Sequence, residues 1–273
     1  MSAAQLLPWA LVILLYAPLF LRLYQSRWKT VDYTHAYFIL PVALWLAWRK
    51  RQQLKSLAVQ IPQGLWGMVL LVLGLMVFLF GWRYDYMFVT VISLVPVLFG
   101  LVWQLYGGSV ARAMAFPVLY LLLLVPPPLG MIDDVTLPMR YGMSVVTEWF
   151  LRALHYPVTR EGLLLSIGKH DVFMGQACSG FRSLITMFSL GLIYASLAQT
   201  RTSKKVVLAV ATIPFALLGN LVRVITHCLA TYYLGEDRAT GLFHYASGTL
   251  IFSVMIFGLV VLDRLLARQT QVA

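Results

Sequence analysis

Residues 64–82 read GLWGMVLLVLGLMVFLFGW, nineteen positions without a charged, amide or hydroxyl side chain. A helix needs about 20 such residues to cross a hydrocarbon core roughly 30 Å thick. Unpaired backbone groups cannot be tolerated there, so the run reads as a spanning helix. Working outward from this stretch, comparable runs lie at roughly 4–24, 33–48, 87–106, 112–129, 180–198, 206–232 and 243–262. The sequence therefore predicts an all-α polytopic membrane protein with about eight transmembrane helices, organised as a single integral membrane domain over 1–273. The first run has no basic residue before it and no small-residue cleavage site after it, so a retained helix is expected.

The composition agrees. Of 273 residues, 60% are hydrophobic and 11% charged, against roughly 25% charged in soluble domains. That excludes a water-soluble enzyme, a disordered chain and a DNA-binding domain, so no nucleic-acid partner is expected despite a net charge of +11. Two cysteines allow at most one disulfide.

Short cytoplasmic loops collect Lys and Arg. With the N-terminus inside, the inner ends receive Arg49, Lys50, Arg51, Lys55, Arg112, Arg201, Lys204, Lys205, Arg264 and Arg268, with Asp263 as the one acid. The other nine acids fall outside, with nine cations, four of them in the long 130–179 segment. The expected topology is N-in and C-in. Arg182 and Arg223 remain, and both fall inside spans. A cation there costs about 3 kcal/mol on insertion scales, so it faces a partner or a wet cavity, or snorkels from a helix end.

Segment 130–179 is expected to be extracytoplasmic. The Val125-Pro126-Pro127-Pro128 stretch ends the fifth run, because prolines lack the donor a helix needs. From Pro138 to His155, Arg140, Ser144, Glu148, Arg152 and His155 recur at helical spacing opposite Met139, Met143, Val146, Trp149, Phe150 and Leu154. This predicts an amphipathic helix along the outer membrane surface, either filler or a substrate-guiding platform, with Glu148 and Arg152 paired at i,i+4. Residues 162–173 predict a short β-hairpin turning at Gly168-Lys169. The chain then reaches Gly175-Gln176-Ala177-Cys178-Ser179-Gly180 at the mouth of the sixth run.

Cys178 at a helix N-terminus, with Arg182 one turn on, has the setting that favours a thiolate. A small buried cysteine, or a disulfide to Cys228, is the alternative. The glycines at 175 and 180 admit a close backbone approach. On the seventh run Asn220, Arg223 and His227 share one stripe, and Arg223 lies about 26 Å above Val206, in the outer leaflet. The eighth run opens near Gly241–Gly248, which brings His244 to the same level. A thiol, a base and a cation at one depth are the parts of a cysteine acyl-transfer site. His35 falls at the edge of the short second run. No HExxH, CxxC or paired-carboxylate pattern suggests a metal.

These residues resemble the exosortase/archaeosortase family of membrane cysteine transpeptidases. Asp32-Tyr33-Thr34-His35, with Pro41 and Trp48-Arg49-Lys50-Arg51, is similar to the family's second-helix signature, with Ala36 where Gly is usual. Ala177-Cys178-Ser179-Gly180-Phe181-Arg182-Ser183-Leu184 resembles its cysteine motif, with Phe181 in place of an aliphatic residue. Asn220-Leu221-Val222-Arg223-Val224 resembles its arginine motif, and Phe243-His244-Tyr245-Ala246-Ser247-Gly248 its histidine motif. The resemblance implies a catalytic Cys178, Arg223 and His244, supported by Arg182, Asn220 and His35, with no cofactor or metal. It implies partners that are exported proteins carrying a C-terminal sorting signal of the PEP-CTERM kind, and an amine or glycolipid acceptor at the cell surface. It also implies a site on the extracytoplasmic face of the bacterial inner membrane. A transporter or lipid-linked glycan-binding component of an exopolysaccharide export system is the other reading, since arginines also suit phosphate. Cys228 lies five residues beyond Arg223, about 140° round the helix, and is expected to face away from the site and be dispensable.

Overall fold

The computed structural model describes residues 3–29, 33, 35–57, 65–126, 131–175, 180–199 and 201–268, without the side chains of 3–5, 132, 182, 237, 238, 240–247, 250 and 251. The chain divides into two compact units, Met1–Pro128 and Leu129–Ala273.

The first unit begins with α1 (Ala3–Leu23), prolonged by a π-helical turn at Tyr24–Trp28, then α2 (Ala36–Arg49), α3 (Arg51–Leu57) and α4 (Leu65–Arg83). Then come α5 (Met87–Ile92), α6 (Leu94–Tyr106), α7 (Gly108–Ala113), α8 (Ala115–Tyr120) and a 3-10 turn at Leu121–Leu124. The apolar stretch that decided the fold is α4. Its Gly67, Gly74 and Gly81 recur every seven residues and lie on the next span: an added Cβ on Gly74 would stand 2.7 Å from Val97 N, and one on Gly81 2.5 Å from Thr90 Oγ1. Backbones approach this closely only where small residues line the seam, and in lipid that packing drives helix association.

Four of the described helical stretches are long and apolar enough to cross a membrane: Leu6–Trp28, Leu65–Arg83, Met87–Tyr106 and Thr202–Leu234. The all-helical membrane architecture is as expected; eight full-length spans are not what the structure shows. The run expected at 33–48 is the 14-residue α2, about 21 Å long against a core of roughly 30 Å. The run expected at 112–129 is broken at Met114 and ends at Leu124, ahead of Pro126. Pro117 cannot donate to the carbonyl four residues back, at Ala113. Lys50, the residue that caps α2, takes that place, its Nζ donating to Ala113 O at 2.7 Å.

The second unit holds α9 (Met131–Ala153), strands β1 (Val158–Glu161), β2 (Leu164–Ile167) and β3 (His170–Phe173), then α10 (Phe181–Ala198), α11 (Thr202–Leu234) and α12 (Glu236–Arg268). The strands form an antiparallel sheet in the order β1-β2-β3. The hairpin turns at Gly168-Lys169 as predicted, pairing Ile167 with His170; β1 is an addition the sequence did not announce. Val158, Leu165, Ile167 and Val172 of the sheet pack with Leu151 of α9 and Val224, Ile225 and Cys228 of α11. A second core joins Met187 and Ala195 of α10 to Leu208 and Ala216 of α11 and Met255 and Leu259 of α12.

Helix α9 corrects the predicted amphipathic segment in extent. It begins at Met131, and His155 lies beyond its end with φ 64°. Its buried stripe is Thr136, Ser144, Thr147 and Leu151, while Trp149, 69% exposed, stands with Val145 and Val146 on the opposite side. The polar side holds the sheet: Glu148 Oε1 receives Arg152 at 3.0 Å and Oε2 receives Arg160 Nε at 2.8 Å. The Arg160 guanidinium also covers the Tyr141 ring at 4.9 Å.

Candidate functional site

The candidate residues Asn220, Arg223 and His227 lie on the C-terminal half of α11. Thirty-three helical residues run about 50 Å, well beyond a hydrocarbon core of roughly 30 Å. The far end of α11 carries the sheet: Val224, Ile225 and Cys228 join the sheet core, and an added Cβ on Gly168 would stand 2.8 Å from the Tyr232 ring. An open-edged sheet leaves backbone groups that hydrocarbon cannot satisfy. Arg223, half-buried, immediately precedes Val224, the first of these sheet-core positions on α11.

The predicted stripe is present. Asn220 is fully buried, and Arg223 and His227 are half-buried on the same helix. Gly180 lies against Asn220. It is the N-cap of α10 with φ +72°, and an added Cβ would stand 2.6 Å from Asn220 Cγ and Nδ2. Its carbonyl accepts from Ser183 Oγ at 2.9 Å and from Leu184 N at 2.7 Å, which closes the first turn of α10. Eleven residues on, Gly191 meets Thr212, so α10 and α11 pack antiparallel with these two glycines at the seam. The sequence marked Gly180 for a close approach and could not name the partner. At Gly175, among the described residues, an added Cβ would meet the Phe173 ring at 3.8 Å.

Helices α11 and α12 are joined at Gly235 alone. Gly258 lies against the Phe215 ring, an added Cβ standing 2.7 Å from it, and Ala216 packs with Met255 and Leu259. That antiparallel register, carried along both helices, sets the backbone at His244 level with residues 226–229, about 5–9 Å along the axis from Arg223. His244 is thus well inside α12, which begins at Glu236 rather than near Gly241 as expected. His227, expected on one stripe with Asn220 and Arg223, lies on the same level.

Cys178 falls at 176–179, outside the described residues, and the Arg182 and His244 side chains are likewise outside the description. His35 belongs to the first unit, where it is buried at the start of α2 and its carbonyl accepts from Phe38 N at 3.0 Å. Cys228 faces the sheet core and is fully buried among Leu151, Leu165 and Ile167. Sequence reasoning missed the tyrosines that join the sheet side to α11. Tyr156 and Tyr233 share a hydrogen bond of 2.9 Å between their hydroxyls, and Tyr232 stands edge-on to Tyr156 at 5.6 Å. The adjacent pair Tyr232-Tyr233 at a helix end was the available signal.

A family model described as transmembrane exosortase matches residues 28–261. No curated protein and no solved structure matches the chain significantly.

Proposed function

Because the chain belongs to the transmembrane exosortase family, we propose that it is a membrane cysteine transpeptidase acting on exported proteins with a C-terminal sorting signal. Cys178 is the nucleophile. Its sulfur attacks the peptide carbonyl near the signal, the carbonyl oxygen takes the negative charge of the tetrahedral intermediate, and Arg223 steadies it. Collapse breaks the C–N bond; His244 gives the proton to the leaving amine, and a thioester remains on Cys178. A surface amine or glycolipid then attacks the thioester and loses its proton to His244, and the thiolate is released. Arg182 and Asn220 support the site, and His35 is a further supporting candidate. The site works at the extracytoplasmic face of the inner membrane, with both termini inside.

One observation carries this reading: Gly180 packed on Asn220. Cys178 precedes Gly180 by two residues, a separation that chain geometry limits to about 7 Å, and Asn220 precedes Arg223 by one helical turn. The cysteine and arginine motifs are 45 positions apart in the chain and meet at this contact. The α11–α12 register adds the histidine motif within two turns. The alternative, phosphate binding by the two arginines in a transporter or glycan-binding component, gives no role to a thiol at this place.

The test is co-expression with an exported protein carrying such a signal, scored by its size shift. Cys178→Ala, Arg223→Ala and His244→Ala should each insert normally and lose processing by at least about 100-fold, the scale of losing a nucleophile or an oxyanion partner. Undiminished processing by Cys178→Ala removes the transpeptidase reading. Processing lost in the arginine variant alone favours the alternative.

A further inference from the structure

The three-stranded sheet of the second unit has two edges, and they differ. In an antiparallel ladder alternate residues turn their N–H and C=O toward the neighbouring strand, and the others turn them away. Met174 N donates to Leu163 O at 2.8 Å, which fixes the alternation between β2 and β3. Leu165 with Val172 and Ile167 with His170 therefore exchange bonds, while Asp171 and Phe173, opposite Ser166 and Leu164, aim their backbone groups outward. The β1 edge is closed by α9. Val158 O, its outward carbonyl, accepts from Arg152 Nε at 3.3 Å, and the next outward residue, Arg160, is held to α9 by Glu148. On β3 the Phe173 carbonyl accepts from Gly175 N at 2.9 Å. The Asp171 N–H, the Asp171 C=O and the Phe173 N–H have no partner among the described residues.

This open edge belongs to the strand nearest the chemistry. Cys178 follows Phe173 by five residues, at most about 18 Å of chain. On its other side β3 is fixed by Val172, which shares a core with Val224 and Ile225, the residues next to Arg223. One strand thus joins the cysteine motif by connectivity and the arginine motif by packing. Two donors and one acceptor at a spacing of two residues match the backbone of an extended chain. A second copy of this chain matches poorly. Twofold antiparallel pairing through these groups sets Asp171 directly opposite Asp171, and like charges in that position are destabilising.

We propose that the free edge of β3 takes an extended stretch of the exported substrate as a fourth strand, bonded through Asp171 and Phe173, and so presents the scissile carbonyl to Cys178. Backbone bonds along the edge supply affinity without reading a side chain. The occupant is the peptide of the transpeptidase reading, and the proposal rests on that reading.

Kinetics of the purified full chain in detergent, with an exported protein carrying a C-terminal sorting signal, test it. Asp171→Pro removes the outward donor and sets a ring against the incoming strand, while the bonds to β2 remain, as proline allows at a sheet edge. It should raise KM about tenfold or more and leave kcat within about twofold, the pattern of lost binding. Asp171→Ala, which restores the donor, should recover most of that loss. Hydrogen exchange on the Cys178→Ala protein needs no proline: bound substrate should slow the Asp171 and Phe173 amides about tenfold or more. If Asp171→Pro fails to fold, this exchange measurement decides. Wild-type KM in Asp171→Pro, equal impairment of the proline and alanine variants, or unprotected amides under bound substrate overturns the proposal and leaves the transpeptidase reading standing. A wild-type dimer that Asp171→Pro converts to monomer also overturns it, giving the edge to a second copy. Processing no better in wild type than in Cys178→Ala removes both.

Discussion

At position 180 the chain admits only glycine. Its φ of +72° costs a residue with a Cβ about 1–2 kcal/mol, and the Cβ itself would stand 2.6 Å from Asn220. Gly180→Ala should therefore lower processing of a sorting-signal substrate by about tenfold or more with insertion unchanged, since about 1.4 kcal/mol is already a factor of ten. The check is a processing time course beside a membrane-fraction blot, and wild-type rates would refute the role given to this contact. Cys228 is the contrasting case. Fully buried in the sheet core, Cys228→Ala should cost about 1 kcal/mol of stability, as for the loss of one small buried group, and leave processing intact. At this scale the sequence was legible where helical period alone suffices. Asn220, Arg223 and His227 share a stripe because 3.6 residues make a turn. The partner of Gly180 was not legible, because it comes from a helix 40 residues away.

Helix α4 and the span Met87–Tyr106 meet across Gly67, Gly74, Gly81 and Gly100. Gly74→Leu should separate them, an overpacking cost of about 1–3 kcal/mol, read as a lower midpoint of thermal unfolding in detergent; Gly142→Leu, where an added Cβ meets nothing, serves as the control and should leave it unchanged. Helix α9 shows how a membrane alters a familiar rule. Its amphipathic period and the Glu148–Arg152 pair were legible, but the hold of its polar side on the sheet was not. In the structure Glu148 binds Arg152 and Arg160, while Trp149 stands exposed. An apolar face turned outward suits a helix lying in the interface. Brominated lipids should accordingly quench Trp149, measured as the difference between wild type and Trp149→Phe; an equal signal in both would contradict it. Strand β1, Val-Thr-Arg-Glu, is four residues with two charges and no alternation, so nothing local distinguished it from loop.

For the whole molecule, the proposed orientation sorts most of the 31 charged residues between the two sides. With both termini inside, ten cations and one acid collect at the inner ends. Lys204 and Lys205 open α11 at the end away from the sheet. The sheet should then face outward. In a chain with both native cysteines replaced by alanine, Glu161→Cys should react with a membrane-impermeant maleimide in intact cells, and Ser203→Cys only after permeabilisation. The reverse pattern would invert the topology. The number of spans was the least legible feature at this scale. Hydropathy finds apolar runs, but 14 residues of α2 and the broken α7–α8 segment are apolar without being long enough to cross alone.

The central claim is that Cys178 attacks the substrate and carries it as a thioester. The most direct measurement is peptide mass spectrometry of the His244→Ala protein isolated with its substrate, in which release of the intermediate is slowed. The account predicts a substrate-derived, hydroxylamine-labile adduct on the peptide containing Cys178 and none on the peptide containing Cys228. An unmodified Cys178, together with processed substrate in the Cys178→Ala strain, would contradict it.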